Sequence, residues 1–215
     1  MEGIPFPTIL VINLEDRNDR WKSIQEDFKK EGWPILNRIN AVKWNPGWYG
    51  ATQSHAKCIY IAKQKNLPWV LVLEDDCFPR EGAFQRFCEL LPSLWQRRDE
   101  WDIFIGGITT PKINSVVQKS PILFNADGLT AHFMLINENS YDKILNDITK
   151  EPLFIDNYYK NNPSIRMFCT LPQLAVQTPS ASDITNSIAD YTESFLDSDN
   201  KLTEFLKEHE ESCKS

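Results

Sequence analysis

The sequence predicts an α/β fold in which a mixed, mostly parallel central sheet is flanked by helices. Three observations carry this expectation. Apolar, β-branched runs of strand length occur at Thr8 to Leu14 and Val70 to Leu73. Segments of helical period separate and follow them, with Trp21, Ile24 and Phe28 on one face of the first. The two kinds of segment alternate as β-α-β-α-β-α-β through the first half, an order that favours parallel strands with helices on both faces.

Taken in order, the run TILVINL is a central strand, and Asp19 to Lys30 forms a helix that Gly32 and Pro34 end. Ile35 to Val42 is the second strand. Lys43 to Gly50, rich in tryptophan, glycine and proline, suits an ordered loop. Ser54 is expected to cap a helix reaching about Lys65. The strand at Val70 to Leu73 follows, punctuated by Pro68 and Pro79, and then a helix with Phe84, Phe87, Cys88, Leu91, Leu94 and Trp95 on its apolar face. Trp101 to Ile105 is a strand that ends at Gly106-Gly107. Beyond Thr109 shorter strands are expected at Ile122 to Phe124, Thr130 to Ile136 and Ile165 to Cys169, with a helix over Glu138 to Ile148 and a helical turn at Asp156 to Lys160. Pro172 to Asn186 is polar and loop-like, and an amphipathic helix over about Asp190 to Glu210 closes the chain. Residues 1–189 are therefore expected to form one domain, with a ligand-binding half to about 108 and a more irregular half from 109. Residues 190–215 form a C-terminal helix.

The 215 residues suffice to bury a sizeable core, and 41% hydrophobic with 25% charged residues is ordinary for a globular protein. A formal charge of -7 gives no general attraction to nucleic acid or an anionic membrane. Any phosphate-bearing ligand must then be held by a local device. The five cysteines are widely spaced without a CxxC pair, which favours reduced thiols. The apolar run at Ile9 to Ile12 is too short for a signal-peptide core or a membrane span, so a cytoplasmic protein with no membrane span is expected.

The densest chemistry lies at Glu74-Asp75-Asp76, where an apolar strand ends in three consecutive carboxylates. Adjacent negative charges repel one another, and a hard divalent cation is a common remedy that leaves positions open for substrate phosphates. An acidic turn opening the next helix is the plainer alternative. After the first strand, Asn13-Leu14 leads into a loop carrying Arg17 and Arg20, which suit a phosphate or nucleobase or, equally, pairing with the neighbouring acids. Free amides with Thr52 and Ser54 at a helix start would favour an anion, with His55 at the first helical position. Gly106 and Gly107 permit close backbone approach to a ligand, or simply a tight turn. Asp156 lies between apolar and aromatic neighbours, a setting that raises a carboxylate pKa and suits a general base, or else caps the following turn.

In their order these motifs resemble glycosyltransferase family 25, the lipopolysaccharide-modifying and procollagen galactosyltransferases of the GT-A class. The resemblance covers about residues 8 to 184. It rests on Val11-Ile12-Asn13-Leu14 with Arg17, Asp19 and Arg20, and on Gly50, Ser54 and His55, with Ala51 where the family has cysteine. Further matches are Leu73 to Asp76, Trp101-Asp102, Gly106-Gly107, Asp156, and Pro172 with Gln177 and Ser182-Asp183-Ile184. Compact virus-encoded capsid glycosyltransferases also resemble this module, which would place such a protein in a host cytoplasm. The resemblance implies a single GT-A domain. It implies inverting transfer from a nucleotide diphosphate sugar, UDP-sugar foremost, to a hydroxyl of a glycan or glycoprotein acceptor. It implies Mn²⁺ or Mg²⁺ at Asp76 with Glu74, and a base at Asp156 or, alternatively, Asp183. Asn13, Leu14, Arg17, Arg20, Ser54, His55, Lys57, Glu74, Asp75, Gly106 and Gly107 become the nucleotide-sugar set.

Two other readings compete. A binding module without turnover would keep the scaffold and lose the base. A Mg²⁺-dependent phosphoryl-handling domain fits poorly, because Cys77-Phe78-Pro79 follow Asp76 where a dehalogenase-type motif continues differently, and no GxxxxGK loop occurs.

Overall fold

The computed structural model describes residues 3–150, 152–181 and 188–212. The first half runs β1 (Thr8–Asn13), α1 (Asn18–Lys30), β2 (Asn37–Asn40), α2 (Gly47–Gln64), β3 (Trp69–Glu74), β4 (Cys77–Pro79), α3 (Ala83–Gln96) and β5 (Ile103–Ile105). The second runs β6 (Thr109–Lys119), β7 (Ile122–Leu129), β8 (Phe133–Asn137), α4 (Glu138–Lys150), α5 (Ile155–Asn161), β9 (Met167–Cys169), β10 (Ala175–Gln177), β11 (Ser180–Ala181), β12 (Ile188–Ala189) and α6 (Thr192–Ser212).

The main sheet has eight strands in the order β2-β1-β3-β8-β5-β9-β7-β6. β1 pairs in parallel with β2 and β3, and β5 with β9, while β8 and β7 run against their neighbours. The fold is therefore α/β with a mixed sheet whose strands mostly point one way. β3 shows why it sits centrally: Trp69 to Leu73 are all buried, which only a strand covered on both faces permits. Burying each such side chain contributes about 1.5–3 kcal/mol.

The two cores match the two faces. On one, Ile24 and Phe28 of α1 and Phe87, Leu90, Leu91 and Leu94 of α3 cover Val11, Leu71 and Leu135. On the other, Cys58, Ile59 and Ala62 of α2 join Ile144 of α4, Tyr159 of α5 and Leu202 of α6 over Leu10, Val72 and Met134. α6 thus packs into the domain's own core.

Three local expectations are corrected. The segment expected to be a loop up to Gly50 is helical from Gly47, because the chain turns into α2 directly after Pro46. Ser54 is consequently an interior helical residue and caps nothing: its hydroxyl donates to the Gly50 carbonyl (2.7 Å) and accepts from the Val42 amide (2.8 Å). The region from Pro172 is not all loop, since β10 pairs antiparallel with β4 and aligns Gln177 with Cys77.

Candidate functional site

The carboxyl ends of β1, β2 and β3 open on one edge of the sheet, and the reversed β8 brings Thr130 to His132 to the same edge beside β3. A cleft of about 510 Å³ lies there. Its walls include Asn13, Arg17, Arg20, Lys43, Trp44, Glu74, Asp75, Asp76, Thr109, Thr130, Asp156, Gln177 and Tyr191. Strand ends of an open α/β sheet are where ligands commonly bind.

The three consecutive acids have different surroundings. Asp75 accepts from Asn13 Nδ2 (2.6 Å) and from Arg20 Nη1 (2.9 Å), a largely enclosed ion pair that ties the loop after β1 to the end of β3. Glu74 meets His55 Nε2 at 3.2 Å. His55 is fully buried, and burial pushes its pKa down to about 4, with Asp156 opposing. The ring is therefore neutral at ordinary pH, and one hydrogen bond joins Nε2 to the Glu74 carboxyl group, its donor set by the tautomer. Asp76 faces the Gln177 amide at 3.4 Å, a contact set up by the β4–β10 ribbon.

Asp156 enters from α5 on the opposite side. Burial, followed by the charge of Glu74, raises its pKa to about 7. Burial and the charge of Asp75 raise Glu74 to about 7, and burial with Glu74 and Asp75 raises Asp76 to about 7. Oδ1 of Asp156 is buried and has no hydrogen-bond partner among the described residues. Three carboxyl groups thus repel one another in one recess, near the pH at which each changes charge.

Other expected site residues fall elsewhere. Leu14 lines the cleft. Arg17 pairs with Asp19 (3.1 Å) and Lys43 with Asp16 (2.9 Å), both at the outer rim. Lys57 lies outside the cleft, its ammonium donating to the Asn40 carbonyl (2.9 Å). Ser54 and His55 do not present a helix N-terminus, for both lie within α2; Ser54 touches the cleft wall, while His55 is buried behind Glu74. Gly106 and Gly107 do not make room for a ligand. A Cβ on Gly106 would stand 2.3 Å from the Phe133 ring, and one on Gly107 would stand 2.1 Å from the Ala175 carbonyl. The glycines serve internal packing. Asp183 lies outside the described residues.

Two cleft residues had no signal in the sequence. Tyr191, just before α6, has its hydroxyl pKa raised by burial and by the charges of Asp156, Asp76 and Glu74. Thr130 holds φ at 89°, an unusual conformation for a β-branched residue, while its hydroxyl donates to the Gly107 carbonyl (2.7 Å). Both arrive through tertiary placement alone.

Among the described residues, no group of three or more His, Cys, Asp or Glu side chains is arranged to hold a metal ion. The oxygen donors at hand are Glu74 and Asp76. Two hard carboxylates, each disfavoured as an anion by its neighbours, suit a divalent cation that takes its remaining ligands from phosphates. Among the described residues, no helix is long and apolar enough to cross a membrane.

Neither a protein-family model nor a curated protein sequence matches the chain. Among solved structures, A197 from STIV is similar at 12% identity and a TM-score of 0.48, over 86% of this chain and 97% of that one. A glycosyltransferase involved in the glycosylation of the major capsid of PBCV-1 is similar at 14% identity and a TM-score of 0.47, over 77% of this chain and 81% of that one. Mannose-1-phosphate geranyltransferase from Thermus thermophilus follows at 8% identity and 0.42, over 77% of this chain and 59% of that one. Similarity at this level carries no argument about chemistry, which rests on the cleft.

Proposed function

We propose that the chain is a metal-dependent inverting glycosyltransferase that moves a sugar from a nucleotide diphosphate donor, UDP-sugar foremost, to a hydroxyl of a glycan or glycoprotein. The observation that carries this is the meeting of Glu74, Asp76 and Asp156 in one recess, with cationic Arg17, Arg20 and Lys43 in the same cleft. The ordered motifs that resemble glycosyltransferase family 25 support the same reading.

In this reading Asn13 and the loop of Arg17 and Arg20 hold the nucleotide at the end of β1. Glu74 and Asp76 would hold Mn²⁺ or Mg²⁺, which supplies positive charge to the departing diphosphate. His55 fixes the orientation of Glu74 from behind. Asp156 accepts the proton of the acceptor hydroxyl as that oxygen bonds to the anomeric carbon and the bond to the diphosphate breaks. A carboxylate with a pKa near 7 and an unpartnered oxygen suits that transfer.

The test is calorimetric titration of UDP-sugars with Mn²⁺, followed by transfer assays. Asp76→Ala is expected to abolish Mn²⁺-dependent binding of the donor with the fold intact. Asp156→Asn is expected to keep donor affinity and to lower turnover by about 10²–10⁴-fold. Unchanged affinity in the first variant removes the metal assignment, and normal turnover in the second moves the base elsewhere, with Asp183 the next variant to make.

A further inference from the structure

We propose that an aromatic shelf at the mouth of the cleft docks an uncharged glycan and directs it toward Asp156. The shelf comprises Trp44, Trp48, Tyr49 and Phe154. Trp44 is 59% exposed and Phe154 48%, so both leave apolar ring surface open to solvent. Trp48 and Phe154 stack at 4.3 Å with their planes 24° apart, and Tyr49 meets Trp44 at 5.7 Å and Trp48 at 5.9 Å. Four rings therefore join into one surface.

That surface is held in place from both ends. Three of the rings belong to the chain entering α2 and to its first turn, and Phe154 immediately precedes α5. Thr52 in α2 donates to the Leu153 carbonyl at 2.8 Å and locks the two segments together. A surface ordered before binding loses less freedom when a ligand arrives.

The occupant follows from shape and charge. A hexopyranose offers a face of weakly positive C–H bonds, which matches the negative face of an aromatic ring, and a rim of hydroxyls. The cleft lining carries five acids against the bases Arg17, Arg20 and Lys43, and that excess, with a formal charge of -7, opposes an anionic chain. A nucleobase would need only one ring, inside the cleft, and of the four only Trp44 lines the cleft. The other three lie outside the lining, joined ring to ring, and the last of them, Phe154, precedes the cleft residue Asp156 by two positions. An extended sugar chain fits that run of rings.

The assignment to the acceptor rests on the transferase reading, but the docking does not, so the two are tested separately. Saturation-transfer NMR with neutral methyl hexopyranosides and short neutral oligosaccharides, in the absence of nucleotide, is expected to show transfer to ring C–H protons. The variant Phe154→Ala, outside the cleft lining, is expected to lose most of that transfer while retaining its melting temperature and its affinity for UDP with Mn²⁺. Phe154 is 48% exposed, so folding is spared. Absence of transfer to every glycoside, or its full survival in Phe154→Ala, overturns the proposal. A tenfold or greater loss of UDP affinity in Phe154→Ala also overturns it, by making the shelf a nucleobase seat. Failure of the wild-type protein to bind any nucleotide removes the transferase reading and leaves the glycoside result to decide the shelf.

Discussion

Asp75 shows how much three adjacent carboxylates can differ. It is the middle acid of the triplet and is occupied on both oxygens, by Asn13 Nδ2 and by Arg20 Nη1. Its contribution is structural, because it joins the loop after β1 to the end of β3. Side-chain exposures of 13% for Arg20 and 11% for Asp75 place the pair largely out of water, where water replaces a lost partner poorly. Asp75→Ala is therefore expected to destabilise the fold by about 3 kcal/mol, in the range typical of broken enclosed pairs. Urea unfolding at neutral pH checks this, and a loss below about 1 kcal/mol, the value of an exposed pair, would contradict it. The strand and its acids were legible in the sequence, because an apolar run bounded by prolines can hardly be anything else. The division of labour was not, since the partners of Asp75 come from 55 and 62 residues away.

At the scale of elements, α2 gives the clearest case of tertiary packing overriding local preference. Glycine, tryptophan and proline before Gly50 favour a loop by propensity, yet the helix begins at Gly47. The cause is visible at Gly50, where the chain of Val42 to Trp44 lies against the helix. A Cβ there would stand 2.4 Å from the Val42 carbonyl. Ser54, one turn on, bonds the Val42 amide from the same side. The helix start is thus set by a crossing strand exit, which no local window contains. An ordinary helical Gly→Ala change gains up to about 1 kcal/mol. Gly50→Ala is expected to do the opposite and cost about 2 kcal/mol, because backbone must move to admit the methyl group. Chemical denaturation of this variant beside wild type measures the sign. A stabilised variant would mean that Val42 and Trp44 yield easily and that another constraint starts the helix.

For the whole molecule, the parallel β1–β2 and β1–β3 pairs followed from alternating elements, whereas insertion of β8 between β3 and β5 depends on a strand from the second half. That insertion, with α5 crossing from the other side, brings Asp156 within electrostatic reach of Glu74 and Asp76 and gives the molecule a global pH signature. The three carboxyl groups rise to about 7 from ordinary values of 4.5 for Glu74 and 3.8 for each aspartate. Between those values the native state holds more protons than the unfolded chain, so their contribution to stability is complete at low pH and is lost as pH rises through about 7. His55 and His132 act in the opposite sense. Burial lowers them to about 4 and about 3, so their contribution is present above 6.5 and lost as pH falls. The two slopes offset each other in part below pH 6.5, and above it only the acids still titrate. Protein in chelator is therefore expected to lose stability most steeply between about pH 6 and 7.5, by on the order of 1–3 kcal/mol, and to level off near pH 8. Asp76→Asn removes one charge and relieves its two neighbours, so its stability should fall less over that interval and should exceed wild type at about pH 8. Urea midpoints across the pH series decide this, and parallel profiles for the two proteins would show that the acids do not interact as the fold arranges them. Adding Mn²⁺ at the alkaline end should raise the wild-type midpoint and leave that of Asp76→Asn unmoved, because a ligand stabilises only the native state that binds it.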